Sequence, residues 1–253
     1  MKTKQDVLQA CKIEGNIIKL PNIQLDRKLY QDVAKSIELI GGKWKGGKVM
    51  GFVFTLDPTE LLEQISGGEN RNIKKEHQFF ATPAHLADEL VKLADLQEKD
   101  TVLEPSAGQG AIIDAVLKTQ HKGEIFICEN MPTNCIILNK KYGDTQNVYF
   151  LRPLNGDFLK LGATSPFTKI IANPPFSKNQ DIEHITKMYS VLASGGRIVA
   201  MASKHWQNSS NQKESNFRLW LQNVNARIIE VDAGEFKDSG TNIATVIIII
   251  EKP

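Results

Sequence analysis

Cysteine is scarce in this 253-residue chain, and the three present, Cys11, Cys128 and Cys135, form no C-x-x-C pair. An odd, scattered set of this kind excludes a disulfide framework and a structural zinc site, and it fits a reducing, cytoplasmic setting. Long apolar runs are also missing. The longest aliphatic run is Val246–Ile250, far short of the ~20 residues that a membrane helix needs. It reads instead as a strand buried on both faces. The first ten residues carry Lys2, Lys4, Gln5 and Asp6 with no apolar run behind them, so they do not form a secretory signal. No charge sign dominates: 31 basic against 29 acidic side chains leave a formal net charge of +2. Nucleic-acid binding therefore has to come from local patches. His77, His85, His121, His184 and His205 show no paired metal spacing, so no metal is expected and they read as surface or linker residues. What remains is ordinary globular composition, 41% hydrophobic and 24% charged, enough for one large domain with a small appendage.

Two textures divide the chain. Residues 1–78 read as a small α+β unit with a linker. Leu29, Val33, Ile37 and Ile40 recur at helical spacing, and Gly41-Gly42 ends that helix. Lys43–Lys45 and Lys48–Met50 flank Gly46-Gly47, and Phe52–Phe54 follows, which predicts a hairpin with a glycine turn. A short helix from Pro58 to Ile65 closes the unit, and Ser66–Lys75 is poor in apolar residues and reads as a linker. From residue 79 onward, strands and helices alternate. Strands are expected at Thr101–Glu104, Glu124–Cys128, Val148–Leu151, Lys169–Ala172, Arg197–Met201, Arg227–Val231 and Ala244–Ile250. Helices are expected at Ala111–Lys118, Pro132–Tyr142, Asp181–Leu192 and Ser215–Leu221. A further helix starts at Thr82-Pro83, with Thr82 as N-cap and Pro83 in the first position. This alternation predicts an α/β fold, a doubly wound and mostly parallel sheet with helices on both faces.

Four short motifs fall at the carboxyl ends of those strands, where open α/β sheets bind ligands. Glu104-Pro105-Ser106-Ala107-Gly108-Gln109-Gly110 runs from a strand into a glycine turn that opens a helix. The third position of the dinucleotide fingerprint is Ile113 rather than glycine, which disfavours a pyrophosphate cofactor. Glu129, within Cys128-Glu129-Asn130, either accepts hydrogen bonds from both hydroxyls of a ribose or caps the helix before Pro132. Asp157 and Phe158, after Gly156, either hold a purine amine and ring or form an ordinary Asx turn. Asn173-Pro174-Pro175-Phe176 carries the most weight. Two prolines after a strand end the ladder and stiffen the loop, leaving the Asn173 side-chain oxygen and the Pro174 carbonyl as preorganised acceptors beside the flat face of Phe176.

In this order, FFATPAH, LEPSAGQG, CEN, NGDF and NPPF, the motifs resemble amino-group methyltransferases that use S-adenosyl-L-methionine. They are most similar to DNA adenine-N6 methyltransferases whose cofactor motif precedes the catalytic tetrad. The resemblance covers roughly residues 79–253 and implies a seven-stranded class I fold. It implies that Phe80, Thr82 and Pro83 close over the methionine end of the cofactor, that Glu104–Gly110 form the cofactor loop, and that Glu129 takes the ribose. It also implies adenine contacts from Asp157 and Phe158, catalysis at Asn173–Phe176, and a second aromatic wall for the target base from Phe236, with Trp206 competing for that place.

The implied chemistry is direct in-line transfer of a methyl group to the exocyclic nitrogen of adenine, without metal or covalent intermediate. The base has to leave the duplex to react. Two related activities, adenine-N6 methylation of RNA and methylation of a glutamine side chain, use a similar tetrad. A non-catalytic nucleic-acid-binding relative is a further alternative. Enzymes of this kind usually carry a large target-recognition domain beyond the last strand, whereas this sequence stops at Pro253. The reading therefore expects the N-terminal unit or a partner protein to read the substrate, or specificity to be low. Lys43, Lys45, Lys48 and Trp44 on the hairpin, Arg71, Lys74 and Lys75 in the linker, and the Ser203–Lys213 loop either touch phosphates or are simply solvated, with Trp44 in a core.

Overall fold

The computed structural model describes residues 3–72, 81–162, 167–232, 234–235 and 244–253. Phe80 and Phe236, together with His77, Lys74 and Lys75, lie outside the described residues. By its internal contacts the chain forms two compact units, Met1–Gln78 and Phe79–Pro253.

The first unit holds helix α1 (Lys4–Gln9), strands β1 (Lys12–Glu14) and β2 (Ile17–Lys19), helix α2 (Arg27–Leu39), strands β3 (Lys43–Lys45) and β4 (Gly51–Val53), and helix α3 (Thr59–Ser66). Its sheet is antiparallel throughout, in the order β1-β2-β4-β3. Val7, Leu8, Ile18, Val33, Ile37, Phe52 and Leu62 share its core. The hairpin differs from expectation. Its return strand starts at Gly51, and Lys48–Met50 belong to a longer turn in which Met50 takes a left-handed φ of 44°. The strands β1 and β2 and the helix α1 were not expected from sequence. Each is too short for a periodicity to register, and α1 is held by a capping box between Thr3 and Asp6.

The second unit alternates α4 (Ala84–Ala94), β5 (Val102–Glu104), α5 (Ala111–Lys118), β6 (Ile125–Ile127), α6 (Pro132–Tyr142), β7 (Val148–Phe150), β8 (Phe167–Ala172), α7 (Gln180–Val191), β9 (Leu192–Ser203), α8 (His205–Asn208), α9 (Gln212–Asn223), β10 (Arg227–Glu230) and β11 (Thr245–Glu251). The seven strands lie in the order β10-β11-β9-β8-β5-β6-β7. Those from β7 across to β9 are parallel, and β11 is antiparallel to both of its neighbours. The side-chain alternation of a strand splits each central strand between two cores. Ile247 and Ile249 face one with Val199, Met201 and the α4 and α5 residues, while Val246, Ile248 and Ile250 face the other with Ala200 and the α7 and α9 residues. The aliphatic run is thus buried on both faces, as its composition required.

One polar device clamps the far end of the sheet. Lys169 on β8 is 9% exposed, and its ammonium donates to the carbonyls of Ala94 (2.9 Å) and Asp95 (3.0 Å) at the end of α4, with Asp100 at 3.7 Å. It supplies donors to the last carbonyls of the helix, which have no partner within the helix itself. Replacing it by the apolar isostere (Lys169→Met) leaves the buried Ala94 carbonyl without this donor, while the Asp95 carbonyl keeps the Gln97 side-chain amide at 3.1 Å. We expect a loss of about 2 kcal/mol in urea unfolding; an unchanged midpoint would show that the clamp contributes nothing.

Candidate active site

The strand order reverses between β5 and β8. From β5 the chain steps to β6 and β7 on one side, then returns to β8 on the other. Loops leaving the carboxyl ends of such a neighbouring pair diverge and open a crevice, the usual ligand position in open α/β sheets. Glu104 ends β5 and Ala172 ends β8, so two of the four motifs flank this crevice through topology alone.

The loop 105–110 is drawn tight against the end of β6. Ala107 donates to the Cys128 carbonyl (2.9 Å), and Cys128 donates to that of Glu104 (2.9 Å). Glu129 joins the two segments, accepting from the Gly108 N–H and from the Met131 N–H at 2.7 Å each. It therefore caps the entry to α6 and braces the glycine loop together, and its oxygens retain lone pairs for further donors. Burial raises its carboxyl pKa. Gly110 sits at φ 88°, where a Cβ would lie 2.3 Å from the Tyr142 hydroxyl. Gly156 sits at φ 71°, where a Cβ would lie 2.3 Å from the Glu129 carbonyl. Both positions need glycine for space as well as for conformation.

Glu104 is 1% exposed. One carboxylate oxygen accepts from the Ser106 N–H (3.2 Å), and the other, Oε2, is buried with no partner. Desolvation pushes its pKa well above the ordinary carboxylate range. Across the crevice, the Asn173 carboxamide donates through Nδ2 to the Thr82 hydroxyl at 3.0 Å, while its oxygen, Oδ1, is buried and unpartnered. Two buried acceptors without donors, at the ends of adjacent strands, fit a ligand that brings hydrogen-bond donors or positive charge. Thr82 corrects a sequence expectation. Pro83 occupies the N-cap position of α4 with no side-chain cap, and the Thr82 hydroxyl serves Asn173.

Asp157 forms the Asx turn, its Oδ1 accepting from the Leu159 N–H (3.0 Å). Phe158 is buried, and its ring lies 5.6 Å from that of His184 on α7. The His184 Nδ1 is in turn 3.4 Å from the Ser106 hydroxyl. The expectation that the lone histidines are surface or linker residues fails at His121, which is 9% exposed and lies 3.0 Å from the Asp100 carbonyl through Nε2, and at this one. The missed signal was spacing, since Asp181, Ile185 and Met188 share its buried helical face. Asp181 itself accepts from the Ser203 N–H (3.0 Å) and hydroxyl (2.7 Å), which ties the segment after the proline loop to the end of β9. Phe176 is 8% exposed and joins the core that contains Ile171 and Met201. Trp206 is a correction: it is 2% exposed and packs edge-on against Phe217 at 5.2 Å. Its ring is committed to the core, so it offers no wall to a target base.

The strand order, the antiparallel last strand and the position of the crevice define the second unit as a class I methyltransferase fold. Solved structures agree. A Listeria monocytogenes protein assigned to the class I S-adenosylmethionine-dependent methyltransferases aligns over 77% of this chain and 66% of its own, at 13% identity and a TM-score of 0.56. A Vibrio vulnificus protein assigned as the modification subunit of a type I restriction enzyme aligns over 92% of this chain and 55% of its own, at 18% identity and a TM-score of 0.56. Among curated sequences, a Methanococcoides burtonii protein assigned as ribosomal RNA small subunit methyltransferase A is 31% identical over 105 residues. That match spans 42% of this chain and 37% of the relative's length. No family model matches the chain.

Burial holds the His184 pKa down at about 4, against the opposing pull of Asp157 and Glu183. An unfolded histidine titrates near ~6.5. Between these values the unfolded chain binds the extra proton, so this residue makes folding stability fall as pH drops from about 6.5 towards 4. His184→Gln, which does not titrate, should lose about 2–3 kcal/mol less stability than wild type between pH 7.5 and 4.5. Urea unfolding at the two pH values measures the difference, and parallel losses in both proteins would exclude His184 as the source.

Proposed function

We propose that the protein is an S-adenosyl-L-methionine-dependent methyltransferase acting on the exocyclic N6 of adenine in DNA. The observation that carries this reading is the state of Asn173: its amide nitrogen is anchored by Thr82 and its buried oxygen has no donor. When bound, the cofactor supplies an electrophilic methyl group on a sulfonium centre. The chain's task is to hold and orient. The loop 105–110, braced by Glu129, offers close backbone approach, and the unpartnered Glu104 oxygen offers an acceptor for a cationic group. Asn173 Oδ1 and the Pro174 carbonyl would accept the two amine hydrogens. That turns the nitrogen lone pair out of conjugation with the ring and towards the methyl group. Because Asn173 is anchored through Thr82 before the base arrives, its acceptor needs little reorganisation during reaction. Asp157 and Phe158 remain the proposed adenine contacts of the cofactor. Phe176 is the proposed stacking face for the target base, while Pro175 keeps the bend stiff.

A second reading, adenine-N6 methylation of RNA, is favoured by the 105-residue similarity to the ribosomal RNA methyltransferase assignment. Labelled methyl transfer to unmethylated genomic DNA, to ribosomal RNA and to protein, followed by nucleoside and amino-acid analysis, separates the candidates. N6-methyladenine in DNA is the expected product, and label confined to RNA or protein would replace the DNA reading.

Asn173→Ala should lower transfer by ~10²–10³ while calorimetry shows cofactor affinity within a few-fold of wild type. Full turnover in that variant would end the proposed role. Thr82→Val, which removes the acceptor for the Asn173 amide, should lower kcat by about tenfold with little change in cofactor affinity, and Thr82→Ser should restore it. Equal losses in the valine and serine variants would mean that the hydroxyl does not position Asn173.

A further inference from the structure

The strand pairings of the N-terminal unit collect lysines that are far apart in sequence onto one side of its sheet. Ile13 pairs with Ile18, Ile18 with Phe52, and Phe52 with Trp44, which sets these residues on one face. There Ile18 and Phe52 enter the core and the Trp44 ring stands edge-on to Phe52 at 5.1 Å. Alternation puts their neighbours on the other face. One row across it reads Lys12, Lys19, Gly51, Lys45, and the next reads Glu14, Ile17, Val53, Lys43. The glycine verifies the placement: a Cβ at Gly51 would lie 2.7 Å from the Ile17 Cγ2 and 3.2 Å from the Lys19 Cδ, so both side chains cross this face beside it. Lys12, Lys43 and Lys45 are exposed, and Ile17, Lys19 and Val53 are half-buried. The face carries a single carboxylate, Glu14, which is 3.8 Å from the Lys19 ammonium. Exposed Lys48 extends the positive charge into the β3–β4 turn.

We infer that this open sheet face is a docking surface for the phosphate backbone of duplex DNA. The charge is complementary, and the spacing suits a polyanion. Lys43 and Lys45, two residues apart on one strand, stand ~7 Å from each other, and Lys12 and Lys45 lie three strand spacings or ~14 Å apart. A duplex presents a charge every ~3.4 Å along each strand. The aromatics of the sheet settle how the contact is made. Trp44 and Phe52 are on the opposite face, so bases have no ring to stack on here, and stacking is what single strands require. Lysines over a small aliphatic floor touch phosphates and carry no base readout. The assignment to DNA rests on the function proposed above, whereas the polyanion surface does not.

The test uses the full chain, without cofactor, binding a fluorescent duplex of arbitrary sequence over a salt series. In the triple variant Lys12→Gln, Lys43→Gln, Lys45→Gln, Lys19 is left in place because its ammonium also meets the Val49 carbonyl. The slope of log affinity against log salt should fall by about 2–3, and affinity at ~0.1 M salt should fall about 10–100-fold, with an unchanged circular dichroism spectrum. A control of equal charge, Lys28→Gln, Lys35→Gln, Lys99→Gln, should lose far less. Equal losses in the two triples, or none in the first, would overturn the surface. Tighter binding of a structured RNA, with the loss confined to RNA, would overturn the DNA occupant. Binding is read without turnover, so a chain that methylates nothing yet shows the slope change would refute the active-site reading and leave this surface standing.

Discussion

A side-chain amide whose nitrogen is satisfied and whose oxygen is not defines the crevice of this protein. Leaving a buried acceptor without a donor costs ~1–3 kcal/mol. A fold carries such a group only where the rest of the structure holds it. Asn173 is held by three things: the end of β8, the two prolines that prevent the chain from continuing the ladder, and the Thr82 hydroxyl from the segment before α4. The unpartnered Glu104 oxygen at the end of the neighbouring strand repeats the arrangement. These two vacant acceptors lie where the strand order reverses, so sheet topology and local chemistry converge there.

Around these groups the structure uses backbone-directed hydrogen bonds more than ion pairs. Glu129 ties the glycine loop to the start of α6, and Asp181 ties α7 to the end of β9. In both, burial raises the carboxyl pKa and the amide donors oppose that rise. Neutral His184 fills the space beneath Ser106 and Phe158, where a permanent charge would be costly. The result is a rigid frame on which few atoms remain available to a ligand. Pre-organisation of that kind is what a reaction controlled by orientation needs, and it is why the proposed chemistry calls for no acid or base of tuned strength.

The N-terminal unit follows a different economy. Its sheet has one face packed against helices at Ile18 and Phe52, with Trp44 still exposed at its edge, and one face lined by lysines, and charge is sorted between them by the two-residue period of the strands. A slip of one residue in β3 would move Lys43 and Lys45 to the face that carries Phe52 and Trp44 to the lysine-bearing face. Register here is held by Phe52, which packs below, and by Gly51, whose missing side chain leaves room for Ile17 and Lys19.

Much of the second unit was legible from its residues. Helical spacing from Ala111 to Lys118 and from Pro132 to Tyr142, the Val246–Ile250 run, and the glycine and proline punctuation identified elements and the α/β class, because these signals act within a few residues of chain. The hairpin β1–β2 escaped notice because three-residue strands hardly alternate. Thr82 looked like a helix cap, since capping is what a threonine before a proline does locally. Its actual partner lies 91 residues away. Trp206 was a candidate for the target-base wall only through the family resemblance, and in the structure it packs edge-on against Phe217. By itself, then, the sequence determined the alternation of elements, the stiff bend after Ala172 and the glycines of the cofactor-like loop, all set by local sterics and periodicity. Only the tertiary structure decided which acceptors stay unpaired, which histidines are buried and which lysines share a face. Those outcomes depend on pairings between distant segments that no local preference encodes.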